Sequence, residues 1–378
     1  MLGACALLAV LVLLASCASF PDAGPHDWHD KIEGVGELGG PPAVANPPTG
    51  EPPRPDDSGS SSAPRAPSGC TDPDPQVVAT CLAPIGAIAV LPDGLSALVG
   101  ERTTGRVLRV RQGDQPTLVT TIPVDASTGG GLTGLVLSPA YAEDQLVYAY
   151  VTTPTDNRIV KLAPGEPPKP VLVGIPRGPV HNAGALGVGP DGLLLVATGD
   201  TGINTSLPGS LAGKVLRIDT LGRPGESNPD PESPVLSTGI SDPGGICLDD
   251  TTEQTWVPDH ADSGDVLHLI IPGPLTPPAW RWTDSPGVSG CTAHDGMVTI
   301  AENAGAATYV LHADKNGLFS GQPQTVLKGT YGRLGPATNG PDGFLWLGTL
   351  NKSGGTPVSS DDRVIRIQIN GGGGAGRA

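Results

Sequence analysis

The chain has 378 residues, of which 55 are Gly and 42 are Pro, so about a quarter of its positions resist regular helix. A long-helix or coiled-coil protein is excluded. Lys and Arg number 22 against 38 Asp and Glu, a net charge of −16 without a basic cluster, which excludes nucleic acid as a partner. Aromatic residues are 3% of the chain and the apolar remainder is Val, Leu, Ile and Ala in short runs, so an all-β fold is expected.

The first element is the uncharged apolar run from Leu2 to Ala15, too short for a comfortable membrane span and suited to a signal-peptide core. It ends in Leu14-Ala15-Ser16-Cys17, which resembles a bacterial lipobox, although no Lys or Arg precedes the run. That resemblance implies cleavage before Cys17 and a diacylglycerol on its sulfur, hence an extracytoplasmic protein held at the cell membrane by this lipid alone. Plain secretion is the alternative. Residues 1–16 are thus expected as the signal and 17–69 as a tether. The stretch from Pro21 to Gly69 holds 11 Pro and 8 Gly with almost no apolar periodicity. Its flexible reach is roughly 40 Å, enough to hold a domain clear of a membrane. Residues 371–378 form a Gly-rich tail, which leaves 70–370 as the folded part.

One strand pattern recurs six times across that part: GRVLRV from Gly105, NRIVKL from Asn157, GKVLRI from Gly213, GDVLHL from Gly264, ATYVLH from Ala307 and DRVIRI from Asp362. Each copy alternates apolar and polar side chains, as a half-buried strand requires, and each follows a turn and another strand. The clearest turns are Pro92-Asp93-Gly94, Pro190-Asp191-Gly192 and Pro341-Asp342-Gly343, with Pro presetting φ and Gly supplying a positive φ. Ala142-Glu143-Asp144, Asp249-Asp250 and His294-Asp295-Gly296 are weaker equivalents. Six helix-free units of about 50 residues suit the four-stranded blades of a β-propeller better than paired sandwich domains. The last unit is one strand short, and the apolar stretch Gln76 to Leu82 has no blade of its own. We expect that stretch to close the ring as the outermost strand of blade six.

Setting aside Cys5 and Cys17 leaves Cys70, Cys81, Cys247 and Cys291, an even number that allows three pairings, or free buried thiols. Cys70–Cys81 would staple the closing strand. Cys247 and Cys291 precede corresponding turns in blades four and five, so a Cys247–Cys291 bond is expected between neighbouring inner strands.

The blade sequences LPDGLSALVGERTTGRVLRV (91–110), GGGLTGLVLSPAYAEDQLVYAYVTTPTDNRIVKL (129–162), HNAGALGVGPDGLLLVATGDTG (181–202), SLAGKVLRID (210–219) and PAWRWTDSPGVSGC (278–291) resemble the soluble quinoprotein glucose and sorbosone dehydrogenase family. With its lipobox and tether, the chain looks most like the family's actinobacterial LppZ-type lipoprotein branch. The resemblance implies a six-bladed propeller that carries pyrroloquinoline quinone (PQQ) and Ca²⁺ at one end of its channel and oxidises the C1 hydroxyl of a sugar. It implies His181 as the base and Asp200 as the carboxylate that orients it. A neutral imidazole is a good base near pH 7, and a carboxylate on its other nitrogen fixes the tautomer. It also implies cofactor contacts at Arg333, Ser241, Asp242 and Gly129, and metal contacts from the backbone carbonyls of Ala261 and Asp262.

The cofactor positions depart from the family pattern. Ser241 and Asp242 replace an Arg and an Asn, Gly129 a Gln and Gly335 a second Arg; Ala261 replaces a Gly and Val266 a Glu. Three functions therefore stay open: a PQQ-dependent sugar dehydrogenase, a non-catalytic propeller for an envelope ligand or protein partner, and a Ca²⁺-dependent hydrolase using Asp200, Asp242 and Asp259. No GxSxG, HExxH or phosphate-loop motif is present. Trp280 and Trp282 alternate on a strand and suit either blade core or stacking on a sugar.

Overall fold

The structure, a computed structural model, describes residues 68–203, 205 and 209–368. The expected signal, Cys17, nearly all of the tether and the Gly-rich tail lie outside the described residues. What is described is an all-β ring of six antiparallel blades. Blade 1 is Ile85–Val90, Ser96–Glu101, Arg106–Arg111 and Thr117–Thr121; blade 2 is Leu132–Leu137, Val147–Thr152, Asn157–Leu162 and Lys169–Ile175. Blade 3 runs Gly184–Val188, Leu194–Thr198, Lys214–Ile218 and Val235–Thr238, with the short segment Gly273–Pro274 added in parallel at its edge. Blade 4 is Cys247–Leu248, Thr255–Ala261, Gly264–Leu269 and Trp280–Arg281. Blade 5 is Val288–His294, Met297–Glu302, Ala307–Ala313 and Phe319–Val326. In blade 6, Leu334–Asn339, Leu345–Thr349 and Val364–Ile367 are joined by the N-terminal strand Val77–Ala79, which pairs antiparallel with Val364–Ile367.

Strand periodicity explains why a ring forms. Along the second strand of blade 3, Leu194 and Val196 pack into a cluster shared with blade 2, while Leu195 and Ala197 pack into one shared with blade 4. Both faces of a blade are therefore dry, because alternate side chains point to opposite faces and each face meets a neighbour. Trp346, Tyr148, Tyr150 and Trp256 lie fully buried in such interfaces. The turns use their Asp residues: Asp93 accepts the backbone N–H groups of Leu95 and Ser96 at 3.0 and 2.9 Å, and Gly94 takes φ +64°. Ala142-Glu143-Asp144 differs from the turn expected, forming a single helical turn over Tyr141–Asp144 closed by Gln145 in the left-handed region.

Two disulfides are present, Cys70–Cys81 and Cys247–Cys291, with Cα separations of 5.4 and 5.5 Å. The second joins the innermost strands of blades 4 and 5. Those innermost strands surround a channel cavity of about 460 Å³. They approach closely: a Cβ on Gly290 would stand 2.2 Å from the Ala337 nitrogen, so only Gly fits between blades 5 and 6.

Candidate active site

One end of the channel collects the loops that leave the second strand of each blade. His181 sits in the loop between blades 2 and 3 with φ +49°, a conformation uncommon outside Gly. The adjoining Asn182, fully buried, holds that loop: its Nδ2 donates to the carbonyls of Thr128 (2.8 Å) and Gly178 (2.9 Å), and its Oδ1 accepts the Gly178 N–H (2.9 Å). Asp200 arrives just past Leu194–Thr198. Between them Gly199 permits contact, since a Cβ there would fall 1.9 Å from the His181 carbonyl oxygen.

His181 Nδ1 and Asp200 Oδ1 are 2.9 Å apart. A carboxylate only accepts, so Nδ1–H donates, and in the neutral ring Nε2 keeps its lone pair. Asp200 is itself fixed: Oδ1 accepts the Gly202 N–H (2.9 Å), Oδ2 accepts the Ser241 hydroxyl (2.8 Å), and the Asp200 N–H donates to the Ser241 carbonyl (2.7 Å). Asp259, buried behind this layer, accepts the backbone N–H groups of Ser241 (3.0 Å) and Asp242 (2.6 Å).

These contacts set the charges. Burial works against a charged His181, but the hydrogen bond to Asp200 and the carboxylates of Asp242, Asp200 and Asp262 outweigh it, raising its pKa above the ordinary 6.5. Burial also opposes ionised Asp200, yet its bonds from Gly202, His181 and Ser241 hold it below the usual carboxylate value. Asp242 goes the other way. Desolvation, aided by Asp259 and opposed by His181, His260 and Arg102, pushes it up to about 6. His260 hydrogen-bonds Asp265, which with nearby acids raises its pKa.

Beside this network lies a cavity of about 230 Å³ lined by, among others, Arg102, Asp242, His260, Asn303, Arg333 and Gly335. Of the four expected cofactor contacts, Arg333 and Asp242 border it. Ser241 and Gly129 do not: the Ser241 hydroxyl is committed to Asp200, and the Gly129 carbonyl accepts from Arg102 Nη2 at 2.7 Å. Ala261 and Asp262 occupy the tip of the hairpin joining the second and third strands of blade 4. There the exposed Asp262 carboxylate lies 3.8 Å from His181 Nε2. Among the described residues, no group of three or more His, Cys, Asp or Glu is placed to hold a metal ion.

Arg102, Asn303 and the Asp262 carboxylate are site groups that motif reading missed. A signal existed in the repeat, since Arg102 follows Ser96–Glu101 and Asn303 follows Met297–Glu302 much as Asp200 follows Leu194–Thr198.

A six-bladed propeller with a His–Asp pair beside a cation-lined cavity at one channel end defines a sugar-dehydrogenase-like propeller. The Glucose / Sorbosone dehydrogenase family matches residues 83–275, just over half of the chain. The chain belongs to that family. It is similar to the PQQ-bound form of an aldose sugar dehydrogenase from Streptomyces coelicolor, with 33% identity over 81% of this chain and 99% of that one and a TM-score of 0.72. A putative oxidoreductase (glucose dehydrogenase) from Thermus thermophilus is 30% identical over 77% of this chain and 98% of that one, TM-score 0.71. In fold alone it is also similar to the apo-form of a soluble aldose sugar dehydrogenase from Escherichia coli, 19% identical over 77% of this chain and 98% of that one, TM-score 0.67. A search of curated proteins finds no match.

The two Arg residues of the lining suit an anionic cofactor such as PQQ, which carries three carboxylates. Arg102 and Arg333 both border the cavity, and Arg333 Nε and Asn303 Oδ1 are buried without hydrogen-bond partners. Such orphaned groups are costly unless a ligand completes them.

Proposed function

We propose that this protein is a PQQ-dependent dehydrogenase that oxidises an aldose at its C1 hydroxyl. The observation that carries the reading is the His181–Asp200 pair, 2.9 Å apart, beside the cavity bordered by Arg102 and Arg333. Arg333 and Arg102 would hold the cofactor's carboxylates by charge-assisted bonds, and Asn303 Oδ1 would accept from a donor on the ligand. Bound PQQ supplies a two-electron acceptor for the hydride equivalent leaving C1. His181 takes the C1 hydroxyl proton at Nε2, because Nδ1 is occupied by its bond to Asp200. The adjacent carboxylate favours the imidazolium as it forms. Asn182 and Ser241 keep the pair aligned so that no reorganisation is needed when the proton moves.

An extracytoplasmic, lipid-anchored location through Cys17 belongs to the same reading. It is supported by the Leu14–Cys17 sequence and by two disulfides, which persist in oxidising compartments. A Ca²⁺ ion would have the Ala261 and Asp262 carbonyls as its contacts.

A second reading, a propeller that binds an envelope ligand or protein without turnover, draws on Asp242, an acid bordering an otherwise cationic cavity. The two are separated by titrating the protein with PQQ, with and without Ca²⁺, while recording the quinone absorbance, then assaying aldoses with a dye as acceptor. Saturable PQQ binding with aldose-dependent dye reduction is expected. No binding and no turnover would overturn the dehydrogenase reading.

A further inference from the structure

Trp280 and Trp282 take no part in the site described above. Their strand is the outer one of blade 4, and their rings pack against Tyr309 of blade 5 at centroid distances of 6.4 and 5.4 Å. This is blade core, but it is not closed. A pocket of about 170 Å³ opens there, bordered by Trp280, Trp282, Asp284, Glu302, Tyr309 and Lys328, among others. The indole N–H groups of Trp280 and Trp282 are buried and donate to nothing. Glu302 is only 4% exposed, and among the described residues its carboxylate accepts no hydrogen bond; burial, chiefly, raises its pKa. Trp256 and Trp346 also leave their N–H groups unpartnered, so an orphan indole alone signals nothing. What distinguishes this place is two such donors and a desolvated acceptor around one open pocket.

The chemistry narrows the ligand. Two acids, Asp284 and Glu302, and two cations, Arg281 and Lys328, border the pocket, so a cation would meet Arg281 and Lys328 and an anion would meet the two carboxylates. A compact neutral ring with adjacent hydroxyls offers acceptors to the indoles, donors to the carboxylates and an apolar face to the aromatic wall. The volume falls below the roughly 300–1,000 Å³ of pockets for drug-sized ligands and suits a single small ring. We infer that the cleft between blades 4 and 5 is an accessory saccharide-binding pocket for one pyranose ring, with Trp280 and Trp282 as donors and Glu302 as buried acceptor. It goes beyond the dehydrogenase reading and stands whether or not the protein turns over.

Methyl α-D-glucopyranoside is the probe, because it has no free C1 hydroxyl to oxidise. Its binding is measured by isothermal titration and by saturation-transfer NMR on the full-length protein without added PQQ, for wild type, Glu302→Gln, Trp282→Phe and Arg333→Ala. Wild type is expected to bind it. Glu302→Gln, which is near-isosteric, and Trp282→Phe, which keeps an aromatic ring but removes the indole N–H, should each weaken binding about tenfold or more, while Arg333→Ala binds as wild type does. Circular dichroism confirms that each variant is folded. No binding by folded wild type overturns the proposal. So does binding that Arg333→Ala weakens and Glu302→Gln does not, which assigns the sugar to the other cavity. Failure of PQQ binding would sink the dehydrogenase reading without touching this one.

Discussion

The two halves of the channel mouth are built differently. On the side of blades 2 to 4, His181, Asp200, Ser241 and Asp259 satisfy one another through short hydrogen bonds, so the proton-handling geometry is complete within the protein. On the side of blades 1, 5 and 6, Arg333 and Asn303 keep buried atoms without partners around an open cavity. A group already paired is positioned to act, whereas a group left unpaired is positioned to receive. Under the proposed function the difference would separate catalysis from cofactor binding, and substitutions in the two halves should fail in different ways.

The largest effect belongs to the self-satisfied half. His181→Ala should lower dye-linked aldose turnover by about 10² to 10⁴ while PQQ still titrates with near wild-type affinity, as loss of a general base requires. If PQQ binding is lost as well, the two halves are not separate.

Next comes the receiving half. Arg333→Ala should weaken PQQ binding by roughly 10- to 100-fold, the worth of one charged hydrogen bond, with turnover recovering as PQQ is raised. A spectral titration beside the dye assay reads both.

The pH dependence sharpens the contrast because the two halves respond oppositely. His181 must be neutral to accept a proton, and its pKa is raised, so turnover should fall as pH drops through a value above 6.5. Asp200→Asn removes one of the three carboxylates that raise it, the one hydrogen-bonded to His181, and should shift that acid limb to lower pH, besides slowing the reaction less than His181→Ala does. Asp242 borders the cofactor cavity with its carboxyl pushed up to about 6. Its negative charge fades below that pH, so PQQ should bind more tightly as pH falls through about 6.

The smallest effect tests that last point alone. Asp242→Asn should tighten PQQ binding a few-fold at pH 8 and flatten its dependence on pH, measured by the same titration. An unchanged slope would mean that Asp242 does not face the cofactor.

Six alternating strand motifs at intervals near 50 residues were enough to read the propeller, because helix-free units of that length suit four-stranded blades that bury their faces against one another. The pairing of His181 with Asp200 was legible only through the resemblance to the dehydrogenase family, and the two disulfides from cysteine arithmetic on the blade order. Other assignments depended on side-chain reach. Ser241 and Gly129 were read as cofactor contacts, yet one is committed to Asp200 and the other lends its carbonyl to Arg102. The repeat marked the positions of Arg102 and Asn303 after their second strands, but their neighbours in space come from distant blades, and no local pattern encodes that meeting. What the sequence determined by itself is the strand period and the repeat, since both follow from side chains a few residues apart. Only closure of the ring decided which strand ends share the channel mouth and which polar atoms are left there without a partner.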